Sequence, residues 1–544
     1  MKKSDLTKLI ALGALSVAAA GAVAMIYRYQ KGKAASAEKA ARLSEANAYI
    51  LGGGLSAYAS ALYLVRDCGF TGSNIHVYTN PSASHGDAEN GYICRRGRLV
   101  DENNSPNFFD LIKDVRSLDI SDFTICDEIL NMYSARGRAR SVTFVDDNKD
   151  VISISDIRLD RENRRRIAEL LKTRREVLVS VPLHEIFGEG FFTSEFWKLV
   201  RATYGFSKYS NAYEFVIAMA HIDDMLTGTI PADYDRNEEL IEPLKAHLEE
   251  LGVDIEHDAS VTDVDFEQGS ASAVHYTAGG VRKTVYLNEN DICIFPTDEM
   301  AQSEAFGSFD ESPERDFGEP YALWKKLAQK QPAFKNPEAL FESGSTHMSV
   351  EFTVTLKNHL LPELIDKVTC GALGIDGVIV LDNSKWKITF CAVPPSHFKN
   401  LDDNMAVLWG TAARHDRSGD FAPKPMTDCS GSEILYELVS CLNLGEAWDE
   451  IRETVINVIP CHRRFDKAFL APVASKLEII PTQLSNFAIS GDFVSGDGSV
   501  FTEEFAVTTA KIAAYRLSNS KKKIYRAGKS ASRDIKRALA KCFG

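Results

Sequence analysis

The sequence predicts an α/β protein organised around a strand, a glycine turn and a helix, with other elements inserted between its parts. Three observations carry this. Tyr49-Ile50-Leu51 is an apolar run that passes through Gly52, Gly53 and Gly54 into Leu55-Ser56-Ala57 and an apolar stretch ending at Leu64. A second run, Ile75-His76-Val77-Tyr78, follows at the distance expected of a βαβ unit. At 544 residues the chain is too long for one core, so two or more domains are expected.

Each residue of the glycine turn has a physical use. Gly52 allows a tight turn, Gly53 continues it, and Gly54 lets backbone come close to a pyrophosphate. Leu55 and Ser56 open a helix whose N–H groups and positive dipole end suit a diphosphate. On these residues alone an ordinary strand-to-helix turn is an equal reading. At the end of the second strand, where an acid commonly meets a ribose, stand Thr79 and Asn80; a hydroxyl bonds ribose more weakly than a carboxylate does.

The stretch Gly91 to Leu99 carries Arg95, Arg96 and Arg98 and leads to Asp101 and Glu102. It reads either as a solvated loop or as guanidinium groups set against a diphosphate, because arginine presents a planar fork to phosphate oxygens. Further on, Asp254 to Asp265 reads as a returning strand, Gly279-Gly280 as a hairpin turn, and Asp291 to Pro296 as a buried strand. Near the end, Asn486 to Ser490 reads as a strand that turns at Gly491, Asp492 and Phe493, and a helix runs on to Leu517.

The two ends differ from the middle. Leu9 to Ile26 is an 18-residue run without charge, flanked by Lys2, Lys3, Lys8 and by Arg28, Lys31, Lys33. It reads as a membrane anchor, with a signal peptide cleaved near Ala22-Val23-Ala24 as the competing reading. From Ser518 to Gly544 nine Lys/Arg face the single Asp534, with Ile524, Tyr525, Ile535, Leu539 and Phe543 among them. An amphipathic segment on an anionic membrane surface is expected, so the protein is expected to be membrane-associated, its main domain cytoplasmic. The net charge of -14 argues against nucleic acid as a partner. Ten cysteines lie singly, without paired metal-ligand spacing, which points to reduced thiols and no metal site.

Taken together, these segments resemble the oleate hydratase family, also called the myosin-cross-reactive antigen family. The Gly-x-Gly of its phosphate loop matches Gly52 to Gly54, and its Arg-Gly-Gly-Arg-Glu loop matches Arg95 to Leu99. Glu195-Phe196-Trp197, Ala212-Tyr213-Glu214-Phe215, Tyr234 to Leu244, Leu323 to Ala328, Glu351 to Thr355, Val407 to Gly410 and Lys424 to Leu435 follow the family in order. Thr297-Asp298-Glu299-Met300 stands where the family has an Asn-Gly-Ser-Met-like segment, and only the Met is kept.

The resemblance implies an FAD-binding Rossmann-like domain, discontinuous in sequence, with an inserted substrate domain and helical cover. The expected division is a leading segment at 1–44, flavin-domain pieces at 45–140, 251–300 and 480–517, a helical substrate region at 141–250, a substrate domain at 301–479, and a basic tail at 518–544. It implies FAD as cofactor and an unsaturated fatty acid such as oleate as substrate, with water added to a cis double bond. A homodimer is left open. Gly52, Gly53, Gly54, Leu55, Ser56, Thr79, Arg98, Asp492 and Phe493 are the expected flavin contacts, Asp492 accepting from ribitol hydroxyls where the family commonly has Gln. Hydration needs an acid and a water-activating carboxylate. The family's Glu falls at Leu99 and its proton-donating Tyr at Ala218. The candidates in their place are Asp101 or Glu102, through a loop shifted by two or three residues, and Tyr234, with Arg98 supporting the flavin. A flavin- or lipid-binding scaffold without hydratase activity, or a flavin oxidoreductase, is the alternative.

Overall fold

The computed structural model describes residues 41–80, 86–100, 104–136, 141–146, 150–153, 157–219, 235–298, 304–314, 321–337, 348–374, 377–464, 476–496, 498 and 502–525. Its first layer is a five-stranded, wholly parallel sheet. In spatial order the strands are Phe487–Ser490, Ile292–Pro296, Ala48–Ile50, Ile75–Thr79 and Asp254–His257. The strands Phe487–Ser490, Ile292–Pro296 and Ala48–Ile50 are short and buried throughout, as a parallel sheet covered on both faces requires. The fold is α/β, with a Rossmann-like sheet assembled from distant stretches of chain.

Gly54 leads into the first helix of the βαβ unit, Leu55–Tyr63, all nine of whose residues are buried. Lying against it is the last of the described helices, Glu503–Leu517, whose N-cap Thr502 accepts the Phe505 N–H. The returning strand expected at 254–265 is two strands, Asp254–His257 and Ala259–Glu267, broken at Asp258, whose φ is +54°. The second begins a three-stranded antiparallel sheet with Ser270–Ala278 and Val281–Tyr286. Gly279 and Gly280, at φ +54° and +77°, turn its second hairpin, the conformation a two-residue turn of right-handed strands demands.

A second, eight-stranded mixed sheet runs in the order Glu304–Phe306, Val455–Arg463, Ser349–Leu356, Ala406–Ala412, Ile388–Ala392, Gly377–Leu381, Ser141–Val145, Val151–Ser153. Strict alternation along Ser349–Leu356 sends Val350, Phe352, Val354 and Leu356 to one face, into a core shared with Leu361, Ile365, Ile434 and Leu438. Glu351, Thr353 and Thr355 take the other face. A helical layer with Glu195–Tyr204 and Ala212–Met219 joins the larger core around the parallel sheet. Ser194 caps the first of these, accepting the Trp197 N–H at 3.2 Å.

The expected membrane association is corrected. Among the described residues no helix is long and apolar enough to cross a membrane. The longest, Glu503–Leu517, has 15 residues and opens on two acids, whereas a span needs about 20 apolar residues. The apolar run Leu9 to Ile26 and the tail beyond residue 525 lie outside the described residues.

One buried acid ties the ends of this layer together. The helix Pro106–Ile112 has no side-chain cap of its own. Its opening N–H groups, on Asn107 and Phe108, donate instead to the Glu504 carboxylate at 2.9 and 2.8 Å, and the Asn107 amide adds a bond of 2.6 Å. Glu504→Ala strands these donors in the interior and is expected to cost on the order of 2–3 kcal/mol. Urea unfolding at neutral pH measures this, and Glu504→Gln, which keeps an acceptor, loses less.

Candidate functional site

Three neighbouring strands of the parallel sheet deliver three turns to one edge. Ala48–Ile50 ends in the glycine turn, Ile292–Pro296 in Thr297 and Asp298, and Phe487–Ser490 in Gly491 and Asp492. In open α/β sheets this carboxyl edge is where ligands bind. Thr297 locks two of the turns together, its hydroxyl donating to the Ser490 carbonyl at 2.8 Å and accepting the Phe493 N–H at 3.3 Å.

At the centre lies Asp298. Gly54 has φ +93°, and a Cβ there would stand 2.6 Å from the Asp298 Cβ. Gly491 has φ +96°, and a Cβ there would collide with Asp298 Oδ1 and the Thr297 hydroxyl. Two glycines therefore clasp one aspartate, and neither position accepts a side chain. Gly54, the N-cap residue, has no side chain to cap the first helix. Asp298 does so from across the sheet, Oδ2 accepting the Ser56 N–H at 2.5 Å. Oδ1 is buried and has no hydrogen-bond partner among the described residues. Burial, and next the nearby Asp492, push the Asp298 carboxyl up to about 6, against the pull of Arg98 and the Ser56 bonds.

Around it stand two partly buried ion pairs. Arg98 grips Asp492 with both ends of its fork, at 2.9 and 2.5 Å. Burial works against the Arg98 charge and Asp492 more than offsets it, so its pKa is raised. Arg236 pairs likewise with Glu503 at 2.5 and 3.0 Å.

Arg98 is positioned by a strap. The Tyr92, Cys94 and Arg96 N–H groups donate to Thr355 Oγ1, Thr353 Oγ1 and Glu351 Oε2 at 2.9, 3.0 and 3.1 Å. Alternate residues of one segment thus bond alternate side chains on the polar face of the large sheet. The strap ends where the Glu503 N–H donates to the Leu99 carbonyl at 3.2 Å. Arg95 is held by Glu304, its Nε 3.0 Å from both carboxylate oxygens and its Nη2 2.9 Å from Oε2, and Glu304 and Glu351 also face Arg463. Cys94 Sγ lies 3.3 Å from His397 Nε2, but burial pushes its thiol well up, away from nucleophilic chemistry.

A family model, described as the MCRA family, matches residues 45–515. The chain belongs to the MCRA family. It is similar to the oleate hydratase of Streptococcus pyogenes serotype M49 (strain NZ131), at 26% identity over 94% of this chain and 91% of that one. It is also similar to the linoleate hydratase of Lactiplantibacillus plantarum, at 24% identity over 87% of this chain and 93% of that one. Among solved structures it resembles an oxidoreductase from Methanosarcina mazei, with a TM-score of 0.45 and 13% identity, covering 85% of this chain and 99% of that one.

Within this MCRA-family chain the structure brings Gly54, Ser56, Arg98 and Asp492 together around Asp298, in a crevice at the sheet's edge, and Gly52, Gly53 and Leu55 are buried in the same turn. Thr79 is buried, its hydroxyl donating to the Asn80 carbonyl at 3.1 Å and accepting from Tyr58 at 3.4 Å. Phe493 packs its ring against Trp324. Leu99 is buried in the main core, and so is Ala218, whose carbonyl accepts from the Tyr204 hydroxyl at 3.3 Å. Glu102 and Tyr234 lie outside the described residues. Asp298, Arg236 and Glu503 were not among the expected site residues. The signal for Asp298 was its place in a segment, Thr297 to Met300, where only the Met of the family pattern is kept.

The crevice does not fit a diphosphate as it stands. The N–H that should receive phosphate oxygen already holds a carboxylate, and the expected guanidinium partner is committed to Asp492.

The raised Asp298 carboxyl has a consequence for stability. Its folded value of about 6 lies above the ordinary 3.8, so the folded state holds the proton more tightly. That contribution is fully present below about pH 4 and is lost as pH rises through about 6, at a cost on the order of 3 kcal/mol. Asp298→Asn removes the dependence. The stability of the variant relative to the parent is therefore expected to rise between about pH 4 and pH 7, as read by urea unfolding.

Proposed function

We propose that this chain adds water to a cis double bond of an unsaturated fatty acid such as oleate. The observation that carries the reading is the extent of the family match, residues 45–515, together with two hydratases similar to nearly the whole chain. Hydration is redox-neutral. A proton goes to one alkene carbon and the oxygen of water to the other, while a base takes the proton that water gives up. Neither an electron acceptor nor a redox-active cysteine pair is required.

The residues assigned to these steps come from the sequence. Tyr234 is the proposed proton donor and Glu102 the carboxylate that holds and deprotonates water. Arg98 has a supporting role, holding the end of the strap through Asp492. The family's own two positions cannot serve, because Leu99 and Ala218 are apolar and buried. That observation favours a second reading, a family scaffold that binds a flavin or a lipid without hydrating it.

Incubation of the protein with a panel of cis-unsaturated fatty acids, followed by mass analysis for one added water, separates the two. Hydration predicts a hydroxy fatty acid whose yield drops by about a hundredfold or more in Tyr234→Phe and in Glu102→Gln, the scale of lost acid–base catalysis. Binding of fatty acid without product, in protein supplied with excess FAD, refutes hydration and leaves the scaffold.

A further inference from the structure

The carboxylate at the centre of the crevice brings more than the helix cap requires: it adds a negative charge, and the hydration steps proposed above assign it no role. A parallel sheet with a glycine turn and a helix N-terminus needs no acid there, and adding water to an alkene gives Asp298 no task. Its placement is nevertheless closely built. Gly54 and Gly491 both lie in left-handed backbone conformations and both leave room for this side chain alone. Oδ2 takes the helix N–H of Ser56, and Oδ1 is buried with no hydrogen-bond partner among the described residues. A carboxylate that is 5% exposed is an expensive group to leave half-satisfied.

We propose that Asp298 is a resident competitor for the diphosphate of a flavin dinucleotide, holding the Ser56 N–H until it is neutralised or displaced. The proposal rests on the reading of this crevice as the FAD site, and is separate from whether hydration occurs. The chemistry is that of substitution: a carboxylate and a phosphate oxygen are both anionic acceptors suited to a helix N-terminus. One donor cannot serve both at full strength.

The surrounding charges make the competition depend on protons. The groups facing Asp298 are Asp492 and Arg98, and beyond them Arg236 and Glu503. The two arginines are matched by Asp492 and Glu503, so among the described residues ionised Asp298 is the unmatched charge, and its sign is that of the incoming ligand. A proton on Asp298 removes this repulsion. Asp298 is raised to about 6, which puts the change within reach of ordinary buffers.

The test is calorimetric titration of the full-length protein with FAD, on the parent, Asp298→Asn and Asp298→Gly, at about pH 8 and about pH 5.5. Asn removes the charge at nearly constant shape, and Gly removes the side chain. At the higher pH both variants are expected to bind FAD at least about tenfold more tightly than the parent. The parent is expected to gain by about tenfold for each pH unit that protonation must supply, and to approach the variants at the lower pH. Asp298→Asn should change little between the two. A parent that binds FAD as tightly as both variants at pH 8, or no calorimetric binding by any of the three at either pH, overturns the proposal. The pH dependence of the parent needs no substitution and keeps the test open if Asp298→Gly fails to fold. None of these readouts uses the hydratase reaction, so loss of that activity and loss of this competition are distinguishable.

Discussion

The structure depends on the close approach of two glycines to one aspartate. Three parallel strands must bring their ends together for a nucleotide site to exist, and at that point the backbones are too crowded for side chains. Gly54 and Gly491 supply the space, and Asp298 fills it. The same contact fixes the first helix, which begins at a residue unable to cap it and is capped by Asp298 through the Ser56 N–H. Thr297, one residue earlier, fastens the neighbouring turn. The crevice, the helix start and the junction of the strands thus share one pair of adjacent residues. That coupling explains how an acid can persist there: it performs a structural task that a diphosphate would otherwise perform on binding.

The arginine loop follows from a second constraint, the polar face of the large sheet. Because Glu351, Thr353 and Thr355 alternate with apolar neighbours, they present acceptors at the spacing of a strand. The segment through Tyr92, Cys94 and Arg96 uses them in place of a backbone ladder. This registration divides the arginines by role. Arg95 turns to Glu304 on the large sheet and Arg98 turns to Asp492 at the parallel sheet's edge. It also directs Leu99 inward. A carboxylate at that position would be buried in the main core, so the apolar residue agrees with the strap as it is registered here.

Much of this was legible in the sequence because it is written in local chemistry. The glycine triplet after an apolar run, the second strand at βαβ distance and the double glycine of the hairpin each have a backbone requirement that few residues meet. What escaped was non-local. Asp298 meets Ser56 across 242 residues and Arg236 meets Glu503 across 267, and no periodicity relates such partners. Thr79 was expected to reach outward, yet its hydroxyl is taken by Asn80 and Tyr58, a matter of packing that strand pattern does not encode. Arg98 was expected to face phosphate, and a sequence cannot show that Asp492, 394 residues later, has already claimed it.

The charge balance of the crevice also limits how it could be opened. Arg98 with Asp492 and Arg236 with Glu503 form matched pairs, bound tightly enough that releasing either arginine to a ligand strands its carboxylate in the interior. Swapping partners therefore brings no net gain, because a new anion is attracted only at the expense of an old one. Adding an arginine is equally constrained, since the glycines leave no room for a side chain at the contact itself. Among the described residues of the crevice the charge without a matched partner is Asp298, and a proton is small enough to neutralise it in place. Control of this crevice by protonation is thus a consequence of how closely it is packed.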